Sequence, residues 1–193
     1  MASWCWTVPA RSAALFSGVL LLAGCSGKPP LPTYGMVSDF ALTDQNGAKF
    51  SSAALDNHVW VADFIYTNCP GPCPRMTSQM HQVEQQVNGF EDVRLISFSV
   101  DPDRDTPAAL TEFAHRFGGP TVQWYFLTGS PATLHLLARD VFKIGDLVSV
   151  MDHSTKFMLV DKTGHLRGYY SSFDQEGIPA LLNDMKRLRK ETA

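Results

Sequence analysis

The sequence predicts an α/β protein with three layers and a central, mixed β-sheet. From residue 58 onward, strand-like runs alternate with helix-like runs, and a hairpin and a helix close the chain. A further hairpin pattern at residues 38–50 precedes the first of these strands and has Asn46-Gly47 at its turn. We therefore expect an N-terminal β-hairpin followed by a sheet covered by helices.

Each element has its own pattern. HVWVADFIY (58–66) and VRLISFSV (93–100) are continuous apolar runs, typical of strands buried on both faces. A shorter strand is predicted at 124–129, and a second hairpin over 156–170 turns at Lys162-Thr163-Gly164. Apolar residues at helical spacing predict helices over 74–88, 107–117, 131–142 and the final segment with Ile178, Leu181, Leu182, Met185 and Leu188.

Length and composition limit the classes of protein. The chain has 193 residues, of which 45% are hydrophobic, which suits one globular domain with a substantial core. The formal net charge is −3, too small and of the wrong sign for a nucleic-acid-binding protein.

The first 25 residues have the features of an export signal. Arg11 is followed by AALFSGVLLLAG, an apolar run too short for a comfortable transmembrane helix. The run ends at Leu22-Ala23-Gly24-Cys25, which resembles the lipobox of bacterial lipoproteins. We expect a signal peptide at 1–24, a lipidated Cys25 with an extended tether over 25–35, and one domain over 36–193. An ordinary signal peptide or an uncleaved anchor is the alternative.

Two cysteines remain as thiols in the predicted mature protein, in FIYTNCPGPCPRM (64–76). Pro74 suits the first turn of a helix, which predicts that Cys69 and Cys73 lie in a loop at a helix N-terminus. The helix dipole and free N–H groups there are expected to lower the thiol pKa. In an oxidising compartment, the pair has three interpretations: a structural clip, a redox couple or a metal site. A five-residue clip adds little stability, so the structural role is the weakest of these.

The element order, with cysteines at the end of the first core strand, resembles the thioredoxin fold. Asp63, six residues before Cys69, has the placement of the buried aspartate of thioredoxins, although it could also be a strand-edge residue with a neighbouring partner. Thioredoxin-fold oxidoreductases place a cis-proline before the third core strand, but no proline occurs between Pro131 and Pro179. His153 stands near that place. Two thiolates with one imidazole form a soft, low-coordination donor set that suits copper better than structural zinc.

Longer motifs resemble the Sco/SenC family, copper-binding thioredoxin-fold proteins that serve assembly of the dinuclear copper site of cytochrome c oxidase. DFIYTNCPGPCPRMT contains the family's C-x-x-x-C-P motif, SFSVDPDRDTP (97–107) matches its signature after the second strand, and DHSTKFMLVDKTG (152–164) matches the region of its copper-binding histidine. The resemblance spans most of residues 36–190. It implies that Cys69, Cys73 and His153 bind Cu(I) or Cu(II), and that the two cysteines also form a reversible disulfide.

The resemblance implies a lipid-anchored copper metallochaperone outside the cytoplasm. Its implied partners are the copper-site subunit of cytochrome c oxidase and either a thioredoxin-like reductant or another copper chaperone, and we expect a monomer. A thiol–disulfide reductase that keeps a partner's copper-site cysteines reduced is one alternative, with Cys69 attacking and Cys73 resolving. A redox or copper sensor is another.

Two positions qualify the resemblance. Gly71-Pro72 stands between the cysteines, where the family more often has an acidic residue followed by an aliphatic one. Asp101 is either a further, weaker Cu(II) ligand, a docking residue, or a turn-forming aspartate before Pro102. We interpret the remaining histidines as surface or packing residues, and Met76 and Met80 as core residues at helical spacing.

Overall fold

A computed structural model describes residues 28–119, 121–145 and 155–191 of the chain. A compact unit begins at Leu31. The elements follow the predicted order, with one additional strand at the start. The strands are β1 (Gly35–Met36), β2 (Ala41–Asp44), β3 (Lys49–Ser51), β4 (Val59–Ile65), β5 (Val93–Ser99), β6 (Trp124–Thr128), β7 (Lys156–Val160) and β8 (His165–Ser171). The helices are α1 (Cys73–Val87), α2 (Pro107–His115), α3 (Pro131–Leu136) and α4 (Gly177–Leu188).

All eight described strands form one sheet in the order β1-β8-β7-β4-β5-β6-β2-β3. β4, β5 and β6 are parallel, whereas every other pairing is antiparallel, so the predicted mixed sheet is confirmed. The N-terminal hairpin β2–β3 is also confirmed, and it extends the same sheet because β2 pairs with β6. All residues of β4 are buried, as expected for a strand in the middle of a covered sheet.

Two hydrophobic cores, one on each face, make this a three-layer fold. Alternate residues of β4 point to opposite faces, so Val61 contributes to one core and Trp60 to the other. Helices α1, α2 and α4 cover the face of Val61, whereas α3 and residues 137–142 cover the face of Trp60, to which the N-terminal hairpin contributes Leu42 and Phe50. The apolar faces predicted for α1 and α4 are both turned to the first core.

One helix differs from its prediction. The pattern over 131–142 predicts a continuous helix, but the α-helix ends at Leu136 and a π-helical turn follows from Leu137 to Val141. Leu134, Leu137 and Phe142 remain fully buried through this change, so apolar spacing alone did not distinguish the two helical forms.

Part of the predicted tether is attached to the sheet. The Arg167 guanidinium of β8 donates to the carbonyl oxygens of Leu31, at 2.8 Å, and Pro32, at 3.0 Å. β1 then pairs with β8, and the Val37 N–H donates to the Gly164 carbonyl at 2.8 Å. We call residues 31–37 the N-terminal strap. Among the described helices, none is both long and apolar enough to cross a membrane.

Candidate functional site

The cysteines follow the carboxyl end of β4, in the middle of the sheet, where the chain leaves the sheet and α1 begins. We call the connecting residues 66–72 the thiol loop. It opens with a turn in which the Cys69 N–H donates to the Tyr66 carbonyl at 3.3 Å. Helix α1 begins at Cys73, one residue earlier than predicted, with Pro74 in its first turn. The position of the pair at a helix N-terminus agrees with the sequence prediction, but the prediction that Cys73 lies in the loop is wrong, because Cys73 is the first residue of α1.

The two thiols are adjacent and differ in exposure. Their side chains are hydrogen-bonded to each other. Cys69 is 9% exposed and Cys73 is completely buried, so Cys69 is the more accessible, as expected for the attacking thiol. The reversible disulfide between them stays a prediction.

For Cys73, the expected lowering of the thiol pKa is wrong. Burial raises the pKa of Cys73, and the hydrogen bond with Cys69 and the negative charge of nearby Asp63 raise it further. The Tyr66 backbone N–H opposes this rise but does not outweigh it. The helix terminus was visible in the sequence, whereas the depth to which α1 packs was not. A metal ion must displace the Cys73 proton to bind the thiolate, so the raised pKa of Cys73 lowers the apparent affinity of this sulfur for the metal.

Tyr66 contacts both cysteines. Its hydroxyl is hydrogen-bonded to Cys69, and its side chain is only 5% exposed. Burial raises the pKa of Tyr66 to about 12, with further contributions from Cys69 and Cys73. Sequence analysis did not single out this residue, since a tyrosine at the end of an apolar strand has an ordinary packing interpretation.

Asp63 is a buried carboxyl group beneath the cysteines. It lies in the middle of β4 with no exposed surface, so the interpretation as a strand-edge residue is wrong. Neither carboxylate oxygen meets the geometry of a full hydrogen bond with any group in the described part of the chain. Burial raises the pKa of Asp63 to about 7, although the Ser97 hydroxyl, in register on β5, lowers it somewhat.

Asp101 is engaged in a turn. Its carbonyl accepts hydrogen bonds from the N–H groups of Arg104, at 3.1 Å, and Asp105, at 2.8 Å, and its carboxylate forms an ion pair with Arg104. These contacts agree with the turn-forming interpretation. Its role as a Cu(II) ligand or docking residue stays a prediction.

Asp105 is a site residue that sequence analysis missed. It is fully buried, and its carboxylate accepts hydrogen bonds from the Thr67 hydroxyl at 2.6 Å, the Thr67 N–H at 3.1 Å and the Ser99 hydroxyl at 2.6 Å. It therefore joins the thiol loop to the segment after β5. The only signal in the sequence was its place within SFSVDPDRDTP.

Two predicted site residues, His153 and Cys25, lie outside the described residues. Within 28–119, 121–145 and 155–191, no three His, Cys, Asp or Glu residues are grouped so as to hold a metal ion. The paired thiols nonetheless supply two adjacent soft donors of the kind that Cu(I) prefers. Gly71 is not required by the backbone, because a Cβ there would meet only the Cys69 sulfur, at an ordinary 3.9 Å.

Comparisons with known proteins agree with this geometry. The family model described as SCO1/SenC matches residues 29–189. The SCO1 protein homolog of Bacillus subtilis is 34% identical over 176 residues, which cover 86% of this chain and 90% of that protein. A SCO1/SenC family lipoprotein from Bacillus anthracis has a similar structure, with a TM-score of 0.76 at 33% identity, covering 84% of this chain and all of that one.

Two further structures are informative about the chemistry of relatives. BsSco, a member of the Sco family of cytochrome c oxidase assembly proteins in which a disulfide switch was identified, has a TM-score of 0.74 at 29% identity and covers 85% of this chain and all of its own. Bradyrhizobium japonicum ScoI with copper bound has a TM-score of 0.65 at 25% identity, covering 80% of this chain and 99% of that one.

Proposed function

We propose that the chain, which belongs to the Sco/SenC family of copper-binding cytochrome c oxidase assembly proteins, is a membrane-anchored copper metallochaperone. It binds copper through Cys69, Cys73 and His153 and delivers it to the dinuclear copper site of cytochrome c oxidase. Transfer proceeds by ligand exchange with the partner's empty site, and no substrate is turned over.

The observation behind this proposal is the pair of adjacent thiols at the end of β4. Cu(I) is a soft ion that accepts two or three thiolate and imidazole ligands. The copper-bound ScoI structure supports the same cargo for this chain. Cys69 is the donor through which copper can pass to a partner, since it is the more exposed of the two sulfurs.

A thiol–disulfide reductase is the second candidate, favoured by the unequal exposure of the cysteines. In that reaction the Cys69 thiolate attacks a partner disulfide and releases one partner thiolate, which takes up a proton. Cys73 then attacks the mixed disulfide, so that Cys69 and Cys73 are oxidised and the partner leaves with two thiols. A thioredoxin-like protein would return the pair to its reduced form.

The variant His153→Ala tests these two candidates in one preparation. Loss of a third donor from a small copper site should weaken Cu(I) binding by at least tenfold, or about 1.4 kcal/mol, and Cu(II) binding by more. Thiol exchange by Cys69 should largely survive. Cu(I) affinity is measured by competition with a chelator, and exchange by reduction of a disulfide-containing copper-site peptide.

His135→Ala is the matched control, because it removes an exposed imidazole from α3. Unchanged affinity for both copper ions in His153→Ala would remove His153 from the ligand set and favour the reductase. Loss of thiol exchange in His153→Ala with unchanged copper affinity would also favour the reductase. Circular dichroism checks that both variants are folded.

The proposal includes export and anchoring. Residues 1–24 are the signal peptide, Cys25 is the lipidated N-terminus, and residues from 36 onward form the domain, which acts as a monomer in the periplasm or another extracytoplasmic space. The similarity to the Bacillus anthracis lipoprotein supports this part.

A further inference from the structure

The thiol loop is held at its start by a residue far away in the sequence. After Ile65, the chain leaves the sheet, so the N–H of Thr67 needs a partner outside β4. That partner is Asp105, which is 38 residues away and fully buried. The N–H lies 3.1 Å from Oδ1 and 3.3 Å from Oδ2, and the Thr67 hydroxyl lies 2.6 Å from Oδ1.

Asp105 is itself fixed from the opposite side. Its Oδ2 accepts from the Ser99 hydroxyl at 2.6 Å, and its own N–H donates to the Asp101 carbonyl at 2.8 Å. Ser99 is the last residue of β5 and lies in register with Ile65, the last residue of β4. The carboxylate therefore joins the two neighbouring strand ends at the point where the thiol loop begins.

We propose that Asp105 is a positioning residue that holds the thiol loop so that Cys69 lies beside Cys73. Cys73 is fixed independently, because it is fully buried in the first turn of α1. Cys69 lies in the thiol loop, where its N–H donates to the Tyr66 carbonyl, and it follows Thr67 by two residues. Anchoring Thr67 raises the effective concentration of one sulfur near the other, which favours both disulfide closure and two-sulfur binding of Cu(I).

A pair of Thr67 variants tests this while Asp105 itself stays in place. Thr67→Val removes the hydroxyl at nearly constant shape, whereas Thr67→Ser retains it. Thr111→Val is the matched control, because the Thr111 hydroxyl makes a bond of the same 2.6 Å length to the Gln45 carbonyl in the β2–β3 turn. Both threonines are partly buried.

The first readout is disulfide formation in glutathione buffers, in the full-length protein. Two thiols transfer two electrons and two protons to oxidised glutathione, giving the Cys69–Cys73 disulfide and two molecules of reduced glutathione. Mass spectrometry of the peptide that contains both cysteines gives the equilibrium constant. We expect a fall of about tenfold for Thr67→Val, or about 30 mV, and changes within about twofold for Thr67→Ser and Thr111→Val.

The second readout is Cu(I) affinity by chelator competition, which rests on the proposed function. Thr67→Val should weaken it by about tenfold. A wild-type protein that bound no Cu(I) would defeat the proposed function, while the disulfide readout would still decide the role of Asp105.

A disulfide constant within twofold of wild type in Thr67→Val would overturn the positioning role. An equal fall in Thr111→Val would also overturn it, since general destabilisation would then explain both. Asp105→Asn and Asp105→Ala extend the series, with the smaller effect expected for Asn because it retains one acceptor oxygen. If the alanine variant fails to fold, the Thr67 pair decides the outcome.

Discussion

At the scale of single residues, three buried groups determine the chemistry around the thiols. Cys73 is completely buried and its pKa is raised, whereas Cys69 keeps 9% of its surface exposed. Asp63 is a carboxyl group that forms no hydrogen bond of full geometry with the described residues, and burial raises its pKa to about 7. The first two differ in reactivity, and the third makes the stability of the protein depend on pH.

We expect iodoacetamide to modify Cys69 before Cys73 in the reduced protein. Alkylation needs an accessible thiolate, and burial disfavours that form for Cys73. In the separate variants Cys69→Ser and Cys73→Ser, the remaining Cys73 should react at least about tenfold more slowly than the remaining Cys69. Mass spectrometry of quenched time points measures both rates, and equal rates would contradict the difference in environment.

Asp63→Asn should flatten the pH dependence of stability. A carboxyl group whose pKa is raised to about 7 keeps its proton in the folded protein while the unfolded chain releases it near pH 4. The folded state therefore loses stability as the pH rises from about 4 to 7, by about 2–3 kcal/mol between pH 5 and pH 8. Urea unfolding of the reduced, copper-free protein at both pH values measures this change.

Asparagine does not titrate, so the variant should show a smaller loss over the same pH range. Every other side chain is the same in both proteins, so its contribution cancels in the comparison. An identical pH dependence in the wild type and in Asp63→Asn would mean that Asp63 is ionised throughout.

At the scale of elements, one buried arginine binds the N-terminal strap in addition to the pairing of β1 with β8. Besides Leu31 and Pro32, Arg167 donates to Asp161 at 2.7 Å and to Glu191 at 3.2 Å. Asp161 in turn organises the β7–β8 turn, because its Oδ1 accepts the N–H groups of Thr163 and His165. Arg167 therefore connects the strap, this turn and Glu191, which follows the end of α4.

Removing this arginine should release the strap. Arg167→Ala leaves the largely buried Asp161 without its charged partner, so we expect a loss of about 3 kcal/mol in the free energy of unfolding. Hydrogen exchange of the Tyr34 and Val37 amides, which donate to Leu166 and Gly164, should become faster. Arg139→Ala is the control, since its ion pair with Asp140 is exposed to solvent and should contribute little to the free energy of unfolding.

The ion pair between Arg167 and Asp161 adds an acid-sensitive contribution to stability. Burial alone would raise the pKa of Asp161, but the hydrogen bonds from Arg167, His165 and Thr163 hold it below its usual value. The stability from this lowered pKa is present above the unfolded-state pKa and is lost as the pH falls through the folded-state value. Equal acid sensitivity in wild type and Arg167→Ala would contradict this assignment.

At the scale of the whole molecule, the thiol loop and the β7–β8 turn lie at opposite ends of the sheet. The thiol loop lies where β4 and β5 end, whereas the β7–β8 turn, which the strap contacts through Val37, lies at the opposite end because β7 is antiparallel to β4. Both hydrophobic cores lie between these ends. The thiol loop and the β7–β8 turn thus belong to one sheet, and no side chain named in the contacts above touches both.

We expect Cys25→Ser to abolish lipid attachment and to release or misprocess the protein. A thiol is needed for the lipid bond, and serine does not replace it in the proposed processing site. Membrane fractionation in high salt and intact-mass measurement test this. Unchanged retention and mass would point to an uncleaved helical anchor instead.

The sequence by itself determined the order and type of the main elements, apart from the short strand β1 and the π-helical turn, and the location of the thiols at a helix N-terminus. Apolar spacing, hairpin turns and the proline after Cys73 are local signals, and local backbone preference is enough to interpret them. The boundaries of β4, β5 and α1 accordingly differ from the predicted ones by no more than one residue.

The tertiary structure alone decided which distant groups meet and how deeply each is buried. Pairing of β2 with β6 brought the N-terminal hairpin into the main sheet, and Asp105 reached Thr67 across 38 residues. Packing of α1 reversed the expected direction of the Cys73 pKa shift. Desolvation and long-range hydrogen bonds depend on partners that the folded chain brings together, and no local pattern specifies those partners.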